Sequence, residues 1–202
     1  MFNFFKKKPI APIPLEQQLE TLASLGVTFE PGITIEDLLY SFPREEYEKD
    51  PYDMVLSMLG SEVESEPWGR AFSSNVWNCD FERIYDHGDY VEIVEKLSTL
   101  AGMSDSVSEL EDHIDFDKDN AWLKFKINGN EKHYKIKINN DWIDPDVMTA
   151  LLADFENGEN QFYEINLGQA SLYFYFNPEQ FEALKKLSKR KMSRSRSSID
   201  DA

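Results

Sequence analysis

The chain has 202 residues, enough for one domain of ordinary size with a core of its own. Hydrophobic residues make up 41% and charged residues 29%, which excludes wholesale disorder; a collagen-like or disulfide-framed chain is excluded too. Acidic residues number 38 against 21 basic ones, a formal net charge of −17, and a surface of that sign repels a nucleic acid.

The charge is unevenly spread. Lys6, Lys7 and Lys8 open the chain, and seven basic residues from Lys185 to Arg196 close it. The interval from Pro9 to Leu184 holds 11 basic and 36 acidic residues, a net charge of −25. The folded body is therefore more acidic than the whole chain. Residues 1–14 are expected to be a flexible segment and 188–202, rich in Ser, Lys and Arg, a disordered tail. A single α+β domain is expected between them over 15–187. Lone Cys79 cannot form an intramolecular disulfide, so nothing requires an oxidising compartment. Met1–Lys8 places its lysines after a very short apolar stretch, the reverse of a secretory signal. No apolar run approaches the roughly 20 residues that span a bilayer. A cytoplasmic location without stable membrane insertion is the expectation; the FNFFKKK segment offers at most a weak surface contact with anionic lipid.

The first half, over about 15–102, reads as helical. Leu15, Leu19 and Leu22 recur at helical spacing up to Gly26. Thr34 and Asp37 form a capping pattern before Ile35, Leu38, Leu39 and Phe42, and Pro43 stops that helix. Asp50-Pro51 opens another, buried through Tyr52, Val55, Leu56 and Leu59 and closed at Gly60. Residues 61–69 read as an acidic loop, and 72–81 carry no clear period. Asp89 and Glu92 then start a helix with Tyr90, Ile93, Val94, Leu97 and Leu100 inward, ending at Gly102.

The second half, over about 119–187, is sharper. Residues 122–127 and 131–138 alternate around Asn128-Gly129, the strongest short hairpin signal. A two-residue loop pairs Leu123 with Tyr134, Ala121 with Ile136 and Lys126 with Glu131, keeping apolar residues on one face. It also sets Trp122 opposite Lys135, a candidate cation–π pair. Asp144-Pro145 caps a helix with Met148, Leu151, Leu152 and Phe155 inward. A second hairpin turns at Gly168-Gln169 and pairs Ile165 with Leu172 and Tyr163 with Phe174, leaving Phe162, Tyr173 and Tyr175 on the reverse face. Asn177-Pro178 with Gln180 caps the last helix, buried through Phe181, Leu184 and Leu187. The fold class is α+β: one antiparallel sheet of two β-hairpins, with helices between and after, preceded by a helical region.

No catalytic signature is present: no nucleophile elbow, no Walker loop, no dinucleotide fingerprint and no paired-histidine metal motif. Asp115–Asp119 has the look of a calcium loop, but Asn120 and Lys126 stand where the loop needs Gly and Glu. His87, His113 and His133 read as surface residues. Asp80 and Glu82 are the best carboxylate pair, and with His87 they are the candidates should the chain be an enzyme. No cofactor or metal is expected. The aromatic face of Phe162, Tyr173 and Tyr175 either packs on the N-terminal helices or, if open, forms an aromatic patch rimmed by carboxylates, the composition of a protein-binding hot spot. Trp142, bracketed by Asp141 and Asp144, is a second candidate anchor. The candidate partner contacts are thus Trp142, Asp141, Asp144, Asp80, Glu82, Phe162, Tyr173 and Tyr175.

The stretches VWNCDFERIYDHGDYVEIVEKLSTL, NDWIDPDVMTALLADFEN and LYFYFNPEQFEALKKL resemble bacterial polymorphic-toxin immunity proteins and neighbouring uncharacterised families. The likeness lies in acidity, size, Trp-Ile-Asp before a helix and hairpins ending in aromatic strands, over the last two-thirds of the chain. It implies a non-catalytic protein that binds a cognate toxin one to one and blocks its active site or an adjacent exosite. A negative field suits fast capture of a basic toxin domain. An intracellular adaptor, with the basic tail as its docking segment, is the alternative.

Overall fold

The structure, a computed structural model, describes residues 12–195; the FNFFKKK segment and residues 196–202 lie outside the described residues. Four short helices come first: α1 (Leu15–Ser24), α2 (Ile35–Ser41), α3 (Arg44–Lys49) and α4 (Asp53–Leu59). The Thr34–Asp37 capping box opens α2. One helix escapes the periodicity: α3 reads REEYEK, and its single apolar residue, Tyr47, is fully buried with its hydroxyl donating to the Leu38 carbonyl at 2.6 Å. Buried Gln18 ties these helices together, donating to the carbonyls of Ile13 and Tyr47 and accepting from the Tyr52 amide.

The remaining elements are β1 (Val76–Asp80), α5 (Asp89–Leu100), β2 (Val107–Asp115), β3 (Asn120–Ile127), β4 (Asn130–Ile136), α6 (Pro145–Phe155), β5 (Gln161–Asn166), β6 (Ala170–Phe176), α7 (Pro178–Leu187) and β7 (Met192–Arg194). The class is α+β, with both hairpins in their expected registers: Leu123 faces Tyr134, Ala121 faces Ile136, Tyr163 faces Phe174 and Ile165 faces Leu172. The hairpins do not share one sheet, however. β3 and β4 join β2 in a three-stranded antiparallel sheet, and β5 and β6 lie between β1 and β7 in a four-stranded one.

The reason is that β6 has apolar residues on both faces. Leu172, Phe174 and Phe176 enter one core with α1–α4, α7, Tyr163 and Ile165. Tyr173 enters a second core with Trp77, Cys79, Phe162, α5, α6 and the inner face of the three-stranded sheet. A strand buried on both faces needs a layer on each side. α5 packs against β1 of one sheet and β2 of the other, so the layers run helices, four-stranded sheet, α5 with α6, three-stranded sheet. Phe155 of α6 stacks on Phe125 of β3, centroids 6.1 Å apart. The Phe162–Tyr173–Tyr175 face therefore meets α5 and α6, not the N-terminal helices.

Local features follow the same logic. Gly60 ends α4 against β1, where a Cβ would stand 2.7 Å from the Asn78 nitrogen. The amide of Asn78 donates to the Gly60 carbonyl at 2.8 Å in that contact. At the start of α5 the capping carboxylate is that of Asp112 on β2, which accepts from the amides of Gly88, Tyr90 and Val91. Asp89, expected to cap, instead accepts from the amides of Tyr85 and Asp86 in the preceding turn. Free helix N–H groups and their aligned dipoles reward a carboxylate at that end wherever in the chain it comes from.

The expectation of a disordered tail from Ser188 is corrected as far as Ser195. β7 pairs with β5, setting Met192 opposite Ile165 and Ser193 opposite Glu164. Met192 is buried in the first core, and the Ser188 hydroxyl and the Lys189 amide both donate to buried Asp53. Open edge hydrogen bonds on β5 and one apolar anchor outweigh a disorder-prone composition. The part of the expected tail from 196 onward lies outside the described residues. Met192→Ala is expected to cost about 2–4 kcal/mol in urea denaturation, as for a buried methionine truncated in a core. A loss below about 0.5 kcal/mol, ordinary for an exposed residue, would return the segment to the disordered reading.

Candidate functional site

The elements leave one corner where the predicted anchors meet. Beyond β1 the chain continues through Phe81, whose amide donates to the Gln169 carbonyl at 2.8 Å and whose carbonyl accepts from the Ile143 amide at 2.8 Å. The Ile84 amide donates to the Asp141 carbonyl at 2.9 Å, and Glu82 bridges Trp142 in antiparallel fashion. This short ladder joins two segments some sixty residues apart and gathers Asp80, Glu82, Asp141 and Trp142. Glu82 is steadied by the Gln169 side-chain amide, which donates to its Oε1 at 2.8 Å. Its own amide donates to Asp80 Oδ1 at 2.9 Å. None of Asp80, Glu82 and Asp141 pairs with a lysine or arginine among the described residues.

Behind the ladder lies a cleft of about 340 Å³, within the size range of small-ligand sites. Phe81, Trp142, Ile143, Met148 and Leu152 give it apolar walls; Asn139, Thr149, Glu164, Asn166, Tyr173 and Ser195 supply polar groups. It opens between α6 and the face of β5 that carries Phe162, where burial falls off toward the end of the strand. Along that face the residues run Phe162, Glu164, Asn166, from fully buried to exposed. Glu164 is the carboxylate of the cleft. It accepts from Ser171 Oγ at 3.1 Å, and the nearby Tyr173 hydroxyl also favours its ionised form. Burial raises its pKa above the ordinary carboxylate value, and these hydroxyls offset only part of that rise. Ser195, at 9% exposure, lines the cleft with a buried Oγ that has no hydrogen-bond partner among the described residues.

Other predicted contacts are placed elsewhere. Asp144 is 2% exposed: it caps α6, accepting from the amides of Asp146 at 3.0 Å and Lys137 at 2.7 Å, and has no face to offer a partner. Its own amide donates to the buried Tyr90 hydroxyl, which fixes the Trp142 junction to α5. Phe162 is fully buried and Tyr175 half-buried, their rings 4.9 Å apart in the second core, with the Tyr175 hydroxyl donating to the Asn157 carbonyl and accepting from its amide. These two pack the molecule rather than present a patch. Tyr173 is also buried, though its hydroxyl side reaches the cleft. Cys79 is fully buried, and burial pushes its thiol up to about 12, so it is no nucleophile.

The histidines are not scattered. His87 stacks on His113 at 5.0 Å, His113 on Trp122 at 5.7 Å, and His133 meets Trp122 edge-on at 6.4 Å, all on the outer face of the three-stranded sheet. His87 Nδ1 accepts from the Ile114 amide at 2.9 Å, an anchoring role. The cation over Trp122 is Lys124, 4.2 Å from the ring centre, and not the cross-strand Lys135: two residues along the same strand project from the same face. Neither Asp80, Glu82 nor His87 lines the Trp142 cleft, and His87 belongs to the other sheet's surface. Asp115–Asp119 forms the β2–β3 turn, with Lys118 bonded to Asp115 at 2.7 Å. Among the described residues no group of three or more His, Cys, Asp or Glu is arranged to hold a metal ion.

Charge is segregated between the sheets. Residues 118–137, mainly β3 and β4, carry six lysines against Asp119 and Glu131. The rest of the Pro9–Leu184 interval holds five basic and 34 acidic residues. A wider depression of about 640 Å³ lies on the lysine-bearing sheet, with carboxylates among its cations: Lys126 pairs with Glu109 at 2.6 Å. Comparison with protein-family models, with curated proteins and with solved structures finds no match to this chain.

Glu164 was not among the sequence candidates. The available signal was its place on the same strand face as Phe162 and opposite Tyr173, a lone carboxylate on an aromatic surface. Because the folded state raises its pKa, its protonated form is favoured on folding. The linked stability is fully present below the unfolded carboxylate pKa and is lost as pH rises through the folded one. Glu164→Gln is therefore expected to unfold at higher urea than the wild type at pH 7.5, with the two midpoints converging at pH 3.5. Equal midpoints at both pH values would show that the cleft does not desolvate this carboxylate.

Proposed function

We propose that this protein is a non-catalytic binding protein of the immunity or inhibitor type, which neutralises a basic toxin domain by docking it on the Trp142 corner. The observation that carries the reading is the backbone ladder that brings the chain around Asp80, Glu82 and Asp141, none ion-paired with a lysine or arginine among the described residues, beside half-buried Trp142. Aromatic anchors ringed by charge are what protein hot spots are made of. Unpaired carboxylates on a strongly negative body accelerate encounter with a cationic partner, and the lysines that would blunt this field are concentrated on the β3–β4 hairpin. No helix among the described residues is long and apolar enough to cross a membrane. The adaptor alternative loses part of its free docking segment, since residues 188–195 are built into the fold.

The test is co-expression with the product of the adjacent gene. That product is expected to be toxic alone and harmless with this chain. The triple variant D80K/E82K/D141K is expected to slow association about 10- to 100-fold at low salt and to lose protection. Protection by the triple variant equal to wild type, with a matching melting temperature, would remove the corner from the interface. A neighbour that is neither toxic nor bound would defeat the immunity reading itself.

A further inference from the structure

The Trp142 cleft is chemically specific in a way the corner alone is not. Its walls are apolar and its charged group is a single carboxylate, Glu164, with no lysine or arginine paired to it among the described residues. An anion is repelled there, and a purely apolar ligand would strip Glu164 of its remaining water without replacing it. A cation on an aliphatic stem meets both demands. Phe81, Met148 and Trp142 line the cleft with apolar surface suited to the stem, and Glu164 is the carboxylate suited to the charge. Ser195 Oγ, buried in the wall and without a partner among the described residues, is available to accept a second N–H.

We infer that the cleft receives one alkylammonium or guanidinium group, the tip of a lysine or arginine side chain projecting from the basic partner, with its charge on Glu164. The identity of the source as a protein side chain rests on the binding reading above; the chemistry of the cleft does not. Ordinary protonation linkage then applies: bound cation favours ionised Glu164, so affinity rises with pH through the carboxylate range and binding releases a proton.

The experiment uses the full chain labelled at methionine methyls and indole nitrogens, titrated by NMR with n-butylammonium, butylguanidinium, 1-butanol, and a blocked Gly-Lys-Gly peptide with or without Nε-acetylation. Saturable shifts are expected at the Trp142 indole N–H and the Met148 methyl for both cations and the unmodified peptide. The neutral alcohol and the acetylated peptide are expected to bind at least about tenfold more weakly, as is every cation in Glu164→Gln, because a charge-assisted hydrogen bond is lost. In the wild type the Glu164 carboxyl is expected to titrate at lower pH with butylammonium present, a readout that needs no variant. Equal binding of 1-butanol, or unchanged affinity in Glu164→Gln, would overturn the assignment. Binding of free cations without the lysine peptide would overturn the side-chain source. Should Glu164→Gln leave toxin capture intact while D80K/E82K/D141K abolishes it, the cleft assignment fails and the partner reading stands. Cation binding with no protein partner would instead uphold the chemistry of the cleft and overturn the partner reading.

Discussion

Strand β6 has no face for water, and the architecture follows from that. Leu172, Phe174 and Phe176 point one way and Tyr173 and Tyr175 the other, so the sheet that holds β6 must be covered twice. Neither half of the chain can do this alone. The N-terminal helices with α7 supply one cover, and α5 with α6 the other; α5 and α6 then need burial on their own outer sides, which the three-stranded sheet provides. The result is one chain with two cores back to back, divided by a sheet whose middle strands contribute to both. Such a sheet transmits packing errors across itself, because side chains on either face share one backbone.

A double cover that is incomplete makes a cleft, and that is the origin of the site. Phe162 is buried in the second core with α6, while Glu164 and Asn166 further along the same strand face line a cleft with Met148, Thr149 and Leu152 of that helix. The sequence meets that gap with polar residues, and β7 closes the sheet edge beside it, adding Ser195 to the wall. The 81–84 and 141–143 segments form the opposite rim, held by backbone hydrogen bonds and by the Tyr90–Asp144 contact at its base. The Trp142 corner is thus positioned by backbone pairing and a buried tyrosine rather than by a mobile loop, which lowers the ordering cost of any docking event there.

What the sequence disclosed and what it withheld divide along a physical line. The hairpin registers were legible because Asn128-Gly129 and Gly168-Gln169 fix loop length, and parity then leaves one pairing that keeps faces unmixed. α5, α6 and α7 were legible from their stripes, and α6 and α7 from their caps as well. Elements whose existence depends on distant partners were not. REEYEK has too few apolar residues to show a period, β2 is broken by a bulge between Ser108 and Glu111 with Glu109 at φ 53°, and β7 exists only because β5 has an open edge. The separation of the hairpins into two sheets was likewise invisible, since alternation reports which face is buried and not against what. At the site, the acid-flanked Trp142 and the Asp80–Glu82 pair were readable one by one. Their meeting was not, because it rests on a ladder closed across some sixty residues, and Asp144 beside them turned out to be the helix cap its position before Pro145 had already announced.

The same features that suit binding are unfavourable for the free protein, which is the strongest reason to regard them as functional. Asp80, Glu82 and Asp141 have no lysine or arginine paired with them among the described residues, on a body that already repels itself. Glu164 is desolvated with the Ser171 hydroxyl where a cation would serve better, and Ser195 buries an oxygen with no hydrogen-bond partner among the described residues. Much polar burial elsewhere is satisfied: Gln18 makes three hydrogen bonds, Asp112 three, Asp144 two and Asp53 two, while Ser41 Oγ and Arg83 Nε are also buried without a hydrogen-bond partner among the described residues. Local violations of a rule obeyed nearby tend to mark sites rather than accidents. Here Glu164 and Ser195 share the cleft, and Trp142 joins its wall to the ladder that carries Glu82 and Asp141.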